Sequence, residues 1–310
     1  MAAGSGEQIR VVVIAGPTAS GKTEAAIRLA ERFDGEIVNA DSMQVYRGMD
    51  IGTAKPTPEQ RGRVPHHLID IVAPDVNFTA SDFRREASAA IAEIHRRGRR
   101  VFIVGGTGLY LRALLEGLVD APAMDDAVRR ELEELSARIG GERMLAQLAA
   151  ADPATAARLH PNDLVRIVRA LEVHRQTGRP VSSYREEHGF GGRYFNALKF
   201  GLQVERQELY RRVEARVDRM LAEGFIDEVR RLLHAGYGPG LKAMRAIGYK
   251  EIAAFLHGDC PLDEAVRLMK RDTRRYAKRQ LTWFRADREI IWLEYPDNFA
   301  TMCSHVIEFY

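Results

Sequence analysis

The chain has 310 residues, of which 45% are hydrophobic and 29% charged, and its formal net charge is +3. This composition excludes a disordered or fibrous protein and fits one large or two modest globular domains. The only cysteines, Cys260 and Cys303, lack the spacing of metal ligands, which argues against a disulfide scaffold or a zinc site. Residues 1–8 form a small polar leader and no apolar run has the length of a membrane span, so we expect a cytoplasmic protein without membrane contact.

The first 115 residues alternate short apolar runs with helical segments. Strands are predicted over 10–15, 36–39 and 101–104, and helices over 23–33 and 81–97, the second with Ser81 as its N-cap and Gly98 as its stop. This alternation predicts an α/β fold, a parallel sheet with helices on both faces. We expect the strand at 36–39 to lie beside the strand at 10–15.

The segment between the first strand and the first helix matches the phosphate-loop pattern G-x-x-x-x-G-K-[ST]. Its residues are Gly16, Pro17, Thr18, Ala19, Ser20, Gly21, Lys22 and Thr23. Such a loop points several backbone N–H groups at one anion, in front of the positive end of a helix. Lys22 would reach the terminal phosphates and the Thr23 hydroxyl would ligate Mg²⁺. We therefore predict a P-loop NTPase-like core that binds a di- or triphosphate.

Two further strand ends carry polar residues. Asp41, Ser42, Met43 and Gln44 follow the second strand, and Thr107 follows the third on a glycine-rich turn. Because ligands bind at the carboxyl ends of parallel strands, we expect all three strand ends to line one cleft. Asp41 could hold Mg²⁺ through a water, cap a helix or accept a proton from a nucleophile. Gln44 offers an amide for a base edge, and Thr107 a hydroxyl for a phosphate.

The acidic strand end that holds Mg²⁺ in many ATPases and kinases has no clear counterpart here. The segment 68–70, which ends in Asp70, fits it only superficially, because prolines and histidines interrupt its surroundings. The well-formed apolar run at 101–104 ends in glycines instead. Both observations argue against a general ATPase.

The pattern changes near residue 120. Charged helices rich in alanine and leucine are predicted over 125–139, 142–151 and 162–177, and the next strand only over 198–204. We therefore predict a catalytic core formed by residues 1–117 and 198–310, interrupted by a mainly helical insertion at 118–197.

The last third of the chain is strongly basic. Between residues 267 and 288 nine lysines and arginines stand against two aspartates, with Tyr276, Trp283 and Phe284 among them. On a helix, Arg267, Arg271, Arg274 and Lys278 would form one stripe. Such a stripe suits a phosphodiester backbone, or it is the solvated face of a helix that packs on a core. Other positive residues could extend this surface, namely Arg166, Arg169, Arg245 and Lys250.

Motifs along nearly the whole chain resemble those of the tRNA dimethylallyltransferases, also called tRNA isopentenyltransferases. The matching segments are residues 16–23, 39–46, 50–55, 65–70, 104–110, 162–163 with 169–172, 246–250 and 278–284. The resemblance implies transfer of a dimethylallyl group from dimethylallyl diphosphate to N6 of adenine-37, 3′ of the anticodon. The acceptors would be tRNAs that read codons beginning with uridine, and diphosphate would leave.

The resemblance also implies roles for single residues. Lys22, Thr107, Arg216 and Thr23 with Mg²⁺ would stabilise the leaving diphosphate, and Asp41 would accept the N6 proton. Periodicity alone places Arg216 only at the border of an apolar stripe. The insertion and the basic C-terminal helix would hold the anticodon stem-loop, and we expect a monomer. The implied tRNA contacts are Asp41, Ser42, Met43, Gln44, Thr107, Arg166, Arg169, Arg245, Gly248, Tyr249, Lys250, Arg274, Arg275 and Lys278.

Three alternatives remain open from the sequence. An adenylate isopentenyltransferase, which uses free AMP or ATP as acceptor, shares the phosphate loop and the aspartate but has no need of the insertion or of the basic helix. A small-metabolite kinase needs a clear Mg²⁺-holding aspartate after a core strand. A non-catalytic RNA-binding protein has no need of the phosphate loop and Asp41 together.

Overall fold

A computed structural model describes residues 8–119, 121–122, 124–189, 192 and 194–310. The polar leader at 1–7 lies outside these residues. The described chain divides into two compact units, one made of residues 1–115 and 193–310 and the other of residues 116–192.

Six parallel strands in the first unit form one sheet with the spatial order β3-β2-β4-β1-β5-β6. Their bounds are β1 Arg10–Ala15, β2 Gly35–Asn39, β3 His66–His67, β4 Arg100–Gly105, β5 Asn196–Gln203 and β6 Ile291–Glu294. The prediction that the second strand lies beside the first is wrong. The crossover from β1 to β2 skips one position, and β4 later fills it, with Val13 and Val38 both opposite Ile103.

Both faces of this sheet are buried. Along β1, Val11 and Val13 belong to one apolar cluster, while Val12 and Ile14 belong to a second cluster on the opposite face. Successive side chains of a strand point to opposite faces, so a continuous apolar run is what a sheet covered on both sides requires. The predicted α/β fold with helices on both faces is therefore confirmed.

Helices connect and cover the strands, and a short 3₁₀ turn spans Ala243–Arg245. In chain order they are α1 Lys22–Arg32, α2 Pro58–Arg63, α3 Ala80–Arg96, α4 Gly108–Leu115, α5 Asp126–Ala151, α6 Pro153–Ala156, α7 Leu164–Thr177, α8 Val181–His188, α9 Arg206–Ala222, α10 Phe225–His234, α11 Tyr249–His257, α12 Leu262–Arg285 and α13 Phe299–Phe309. The N-cap of α3 is Thr79, which forms a capping box with Asp82, and not Ser81 as predicted. No helix of the described residues has the length and apolarity needed to cross a bilayer.

The second unit is helical and has its own core. Its helices are α5 to α8, and a backbone break at Gly140, with φ of 78°, divides α5 into two segments as the sequence predicted. Leu132, Leu148, Ile167 and Val173 pack together in its interior without exposed surface.

The last elements of the chain were not predicted. Strand β6 lies at the edge of the sheet beside β5. Helix α13 packs on the same face of the sheet as α1. The Arg10 guanidinium donates to the carbonyl oxygens of Phe309 at 3.1 Å and Tyr310 at 2.8 Å, which ties the C-terminus to the start of β1.

Candidate active site

The loop after β1 curls back on itself as a phosphate-binding loop does. Gly16 has φ of 146°, and a Cβ atom at this position would lie 2.9 Å from the Leu202 carbonyl oxygen, so only glycine fits. Ala19 has φ of 64°, in the left-handed region that non-glycine residues rarely adopt. The Ser20 hydroxyl is buried and has no hydrogen-bond partner among the described residues. The loop thus adopts a strained conformation at the amino end of α1.

Two cations meet at this loop. Lys22 Nζ donates to the Pro17 carbonyl oxygen at 2.6 Å, and Arg216 Nη1, from α9, donates to Thr18 Oγ1 at 3.2 Å. Burial and the charge of Arg216 lower the pKa of Lys22 to about 7, although Asp41 acts in the opposite direction. Burial also lowers the pKa of Arg216, but a guanidinium stays charged at neutral pH. An anion at this loop would relieve the repulsion between the two cations.

An open cleft of about 760 Å³ adjoins the loop. It is lined by loop residues on one side and by α9 on the other, with further walls from the segment around α2. The basic residues of its lining are Lys22, Lys55, Arg61, Arg211, Arg212, Arg216 and Arg219. So many positive groups around one cleft favour a ligand with several negative charges.

Asp41 occupies the carboxyl end of β2 and is half-buried. Its Oδ1 atom accepts hydrogen bonds from the N–H groups of Met43 at 2.8 Å and Gln44 at 3.3 Å. No hydrogen bond to Oδ2 is recorded from the described residues, so this oxygen can accept a proton. Asp41 therefore caps a turn with one oxygen. It is not among the residues that line the cleft of about 760 Å³, but its charge acts on both Lys22 and Arg216, and its role as a base stays a prediction.

Thr107, at the end of β4, connects this turn to the neighbouring strand. Its Oγ1 atom accepts the Ser42 N–H at 3.1 Å, and its own N–H donates to the Ala40 carbonyl oxygen at 3.3 Å. Burial, and next the negative charge of Asp41, raise the pKa of Tyr276, whose hydroxyl shares hydrogen bonds with Thr107 and Gln280. The structure thus brings together Asp41, Thr107 and residues of α12.

Three residues expected to contact RNA are embedded in the fold. The Gln44 amide nitrogen donates to the carbonyl oxygens of Thr53 and Ala54, both at 3.1 Å, so that nitrogen already has its partners. Gly248 is buried, and Tyr249 is 0% exposed with its hydroxyl donating to Glu228 at 2.6 Å. The Tyr249 ring and hydroxyl belong to the core, so a tRNA contact of this residue would have to use its main chain, and the contact itself stays a prediction.

The predicted basic stripe of α12 is partly neutralised within the protein. Arg267 pairs with Glu264, Arg271 with Asp272, and Arg274 with Glu214 of α9. Arg275 is still 63% exposed, with Asp272 3.6 Å away. Lys278 and Arg245 are exposed, and no ion pair to either is recorded from the described residues.

The other basic residues also have acidic neighbours. Lys250 lies 3.3 Å from Asp272. In the helical unit Arg166 is exposed and lies 3.1 Å from Asp163, whereas Arg169 lies 3.0 Å from the buried carboxylate of Glu172. Arg169 therefore compensates a buried charge of its own unit.

Lys55 belongs to the matching segment 50–55, but the sequence did not predict its role. Its side chain is almost fully buried, and Nζ lies 2.6 Å from Asp50 and 2.5 Å from Asp70. Asp70 also lies 2.9 Å from Arg61, so both of its oxygens are taken by protein cations. This arrangement explains why Asp70 is not the Mg²⁺-holding acid of an ATPase.

A magnesium ion would find few protein ligands at this site. No group of three or more potential metal-ligating His, Cys, Asp or Glu residues occurs in the described part of the chain. Thr23 lines the cleft beside Lys22 and offers one hydroxyl. A single hydroxyl fits Mg²⁺ when substrate phosphates and water supply the other ligands, because this ion keeps much of its water and prefers oxygen.

The sequence of nearly the whole chain is similar to those of known proteins. The sequence model of the IPP transferase family matches residues 44–287. The chain is 68% identical to tRNA dimethylallyltransferase 2 of Geotalea uraniireducens over 304 residues, which cover 98% of each chain. It is 63% identical to the tRNA dimethylallyltransferase of Geobacter metallireducens over 304 residues, again covering 98% of each.

Solved structures give the same result. The full-length tRNA isopentenylpyrophosphate transferase of Bacillus halodurans is 41% identical, with a TM-score of 0.72 over 98% of this chain and 97% of that one. A eukaryotic dimethylallyltransferase acting on tRNA is 30% identical, with a TM-score of 0.78 over 96% of this chain and 77% of that one. With the family model, these matches show that the chain belongs to the IPP transferase family.

Proposed function

We propose that the protein transfers a dimethylallyl group from dimethylallyl diphosphate to N6 of adenine-37 in tRNAs that read codons beginning with uridine. The observation that carries the proposal is that a phosphate loop with two cations and a carboxylate lie at the carboxyl ends of β1 and β2 in the same sheet. A loop with two cations, Lys22 and Arg216, suits a diphosphate. The charge of Asp41 acts on both cations, and no hydrogen bond to its Oδ2 atom is recorded from the described residues. We also propose that the protein works as a monomer in the cytoplasm.

The reaction needs charge stabilisation at one end and proton removal at the other. The N6 lone pair attacks C1 of the dimethylallyl group, the C1–O bond breaks, and its electron pair leaves with the diphosphate. Lys22, Arg216 and the backbone N–H groups of the loop stabilise the charge that grows on the leaving group. Asp41 Oδ2 takes the N6 proton, because an exocyclic amine becomes acidic only as it forms the new bond.

Mg²⁺, held through the Thr23 hydroxyl, would supply further positive charge to the diphosphate when bound. Thr107 keeps the Asp41 turn in place through its bond to the Ser42 N–H. The acceptor adenine must leave the anticodon-loop stack to reach Asp41, which costs a few kcal/mol that backbone contacts offset.

We expect the binding of diphosphate to be coupled to a proton taken up by Lys22. The pKa of Lys22 is lowered to about 7 in the free protein, and a bound diphosphate raises it again. At about pH 8, most Lys22 is neutral before binding, so it takes up close to one proton; at about pH 6, it is already charged and takes up almost none. Calorimetry with inorganic diphosphate in two buffers of different ionisation enthalpy measures this number.

The Lys22→Arg variant is the matched control for this experiment, because arginine stays charged throughout. Subtracting its proton uptake removes the contribution of diphosphate itself. Equal proton uptake by the two proteins at the higher pH would show that Lys22 is charged in the free protein, contrary to the expectation.

The exposed cations of α12 should contribute to the electrostatic part of tRNA binding. We expect the double variant Arg275→Ala/Lys278→Ala to lower the slope of log Kd against log salt concentration by about two units, one for each lost phosphate contact. Arg274 is left in place because Glu214 already pairs with it. Filter binding of an unmodified anticodon stem-loop over a range of salt concentrations measures the slope.

The control for this variant removes two arginines from the opposite edge of the sheet. Arg96 is the last residue of α3 and Arg99 directly precedes β4, at the amino ends of the strands. Arg96→Ala/Arg99→Ala removes the same charge and should keep the slope of the unaltered protein. If both double variants changed the slope equally, the effect would come from net charge and not from a surface on α12.

One transfer assay tests the proposed function against its alternatives. The protein, Mg²⁺ and labelled dimethylallyl diphosphate are incubated with unmodified tRNA or with AMP, in the presence and absence of ATP. Label on tRNA alone, independent of ATP, is the expected result. Label on AMP would favour an adenylate isopentenyltransferase, and absence of transfer to either acceptor would overturn the proposal.

A further inference from the structure

Gln280 joins the phosphate loop to the turn that carries Thr107. The side chain belongs to α12 and is only 5% exposed. Its Oε1 atom accepts the Thr18 N–H at 2.8 Å, and its Nε2 atom donates to the Gly106 carbonyl oxygen at 2.9 Å. A Cβ atom on Gly106 would lie 2.1 Å from Nε2, so the glycine is what permits this close approach.

The two main-chain partners of Gln280 serve opposite ends of the reaction. Thr18 accepts a hydrogen bond from Arg216, one of the cations at the leaving-group side. Gly106 precedes Thr107, which holds the Ser42 N–H and hence the turn capped by Asp41. One buried amide therefore spans the short gap between the loop for the diphosphate and the support of the base.

The same helix carries the exposed cations Arg275 and Lys278. Gln280 lies two residues after Lys278 and five after Arg275 and faces inward, so a shift of α12 would move its contacts with Thr18 and Gly106 together. Neither end can relax alone, because both partners are main-chain groups that would be left without a hydrogen bond.

We propose that Gln280 is a positioning residue for the transfer reaction, which fixes the phosphate loop relative to the Asp41 and Thr107 turns. The effect of Gln280 on catalysis rests on the proposed function. The effect of Gln280 on the phosphate loop is independent of that function, because binding of inorganic diphosphate alone can test it.

A glutamate at this position separates hydrogen bonding from packing. Gln280→Glu has nearly the same shape, and its protonated carboxyl group offers one acceptor and one donor, as the amide does. The ionised carboxylate has only acceptor oxygens, and it repels the Gly106 carbonyl oxygen, which needs a donor. Burial and that carbonyl oxygen raise the pKa of such a group, so the change falls in a range that can be measured. Gln280→Met keeps a similar length and provides neither strong hydrogen bond.

The test compares kcat, KM and diphosphate affinity of the wild type and both variants between about pH 6 and about pH 8.5. We expect Q280M to lose roughly ten- to hundredfold in kcat at every pH and to bind inorganic diphosphate more weakly. Q280E should resemble Q280M at the upper end and recover towards the wild type as the pH falls. Thermal unfolding at each pH distinguishes this recovery from a reversible loss of stability when the buried carboxyl group ionises.

Two results would overturn the inference. One is wild-type kcat and diphosphate affinity in Q280M, which would reduce Gln280 to packing. The other is a Q280E profile parallel to that of the wild type. Loss of diphosphate affinity in Q280M, together with absence of tRNA transfer by the wild type, would instead reject the proposed function and retain the role of Gln280 at the loop.

Discussion

Replacing Asp41 by asparagine is expected to lower the rate of dimethylallyl transfer by about 10²- to 10⁴-fold and to leave tRNA affinity nearly unchanged. The amide keeps one oxygen for the N–H groups of Met43 and Gln44, so the turn after β2 stays capped. Its nitrogen takes the place of the free oxygen and cannot accept the N6 proton. Single-turnover transfer with saturating tRNA, and binding measured separately, distinguish the two effects.

A second substitution at this position separates the cap from the base. Asp41→Ala removes both, so it should be as inactive as Asp41→Asn and also less stable by about 1 kcal/mol, the usual value of a side-chain cap. Asp75→Asn removes one negative charge from an exposed loop residue and should keep the wild-type rate. A near-normal rate in Asp41→Asn would mean that another group, or water, takes the proton.

The parts of this site that the sequence predicted are those with local causes. The phosphate loop is one uninterrupted segment, and the rule that ligands bind at the carboxyl ends of parallel strands selected Asp41 and Thr107. The order of the strands was not predictable in the same way. Nothing in residues 36–39 reveals that a strand formed some sixty residues later, β4, will separate them from β1.

Contacts between distant parts of the chain account for what the sequence could not supply. Arg216 meets Thr18 across 198 residues, and Gln280 meets Thr18 across 262. Such pairs leave no periodicity, because each partner only has to suit its own helix or loop locally. The same holds for Glu214, which neutralises Arg274 from a neighbouring helix. The basic stripe of α12 was therefore visible in the sequence, whereas its internal counterions were not.

The motif at 50–55 shows that a family resemblance alone does not reveal the role of a segment. It is one of the segments that resemble the family, yet the contacts recorded for it are structural. Lys55 is buried between Asp50 and Asp70, and the start of the segment is bound by Glu228 of α10. A segment that resembles a family motif can thus support a site and need not carry its chemistry.

Glu228 should therefore be among the residues whose loss destabilises the protein most. Its carboxylate is 2% exposed and accepts the N–H groups of Asp50 at 2.9 Å, Ile51 at 2.7 Å and Gly52 at 3.1 Å, and the Tyr249 hydroxyl at 2.6 Å. Burial, and next the charge of Glu228, raise the pKa of Tyr249, which keeps its hydroxyl protonated as a donor. Four donors thus depend on one buried carboxylate.

We expect Glu228→Ala to lower the free energy of unfolding by about 3–5 kcal/mol, because it leaves buried donors without a partner. Tyr249→Phe removes a single donor, and its expected cost is about 1–2 kcal/mol. Glu223→Ala, which deletes the same charge at an exposed position, should change the value by less than about 0.5 kcal/mol. Urea unfolding followed by two probes measures the three differences and checks that the transition is cooperative.

The relative stabilities of these variants distinguish two roles of Glu228. If only the negative charge of Glu228 matters, and not its hydrogen bonds, Glu228→Ala and Glu223→Ala will have similar free energies of unfolding. If it organises the segment at 50–55, Glu228→Ala will also weaken the binding of inorganic diphosphate, because Asp50, Ile51 and Lys55 line the cleft beside the phosphate loop. Loss of stability with unchanged diphosphate affinity would confine Glu228 to the core and separate this network from the site.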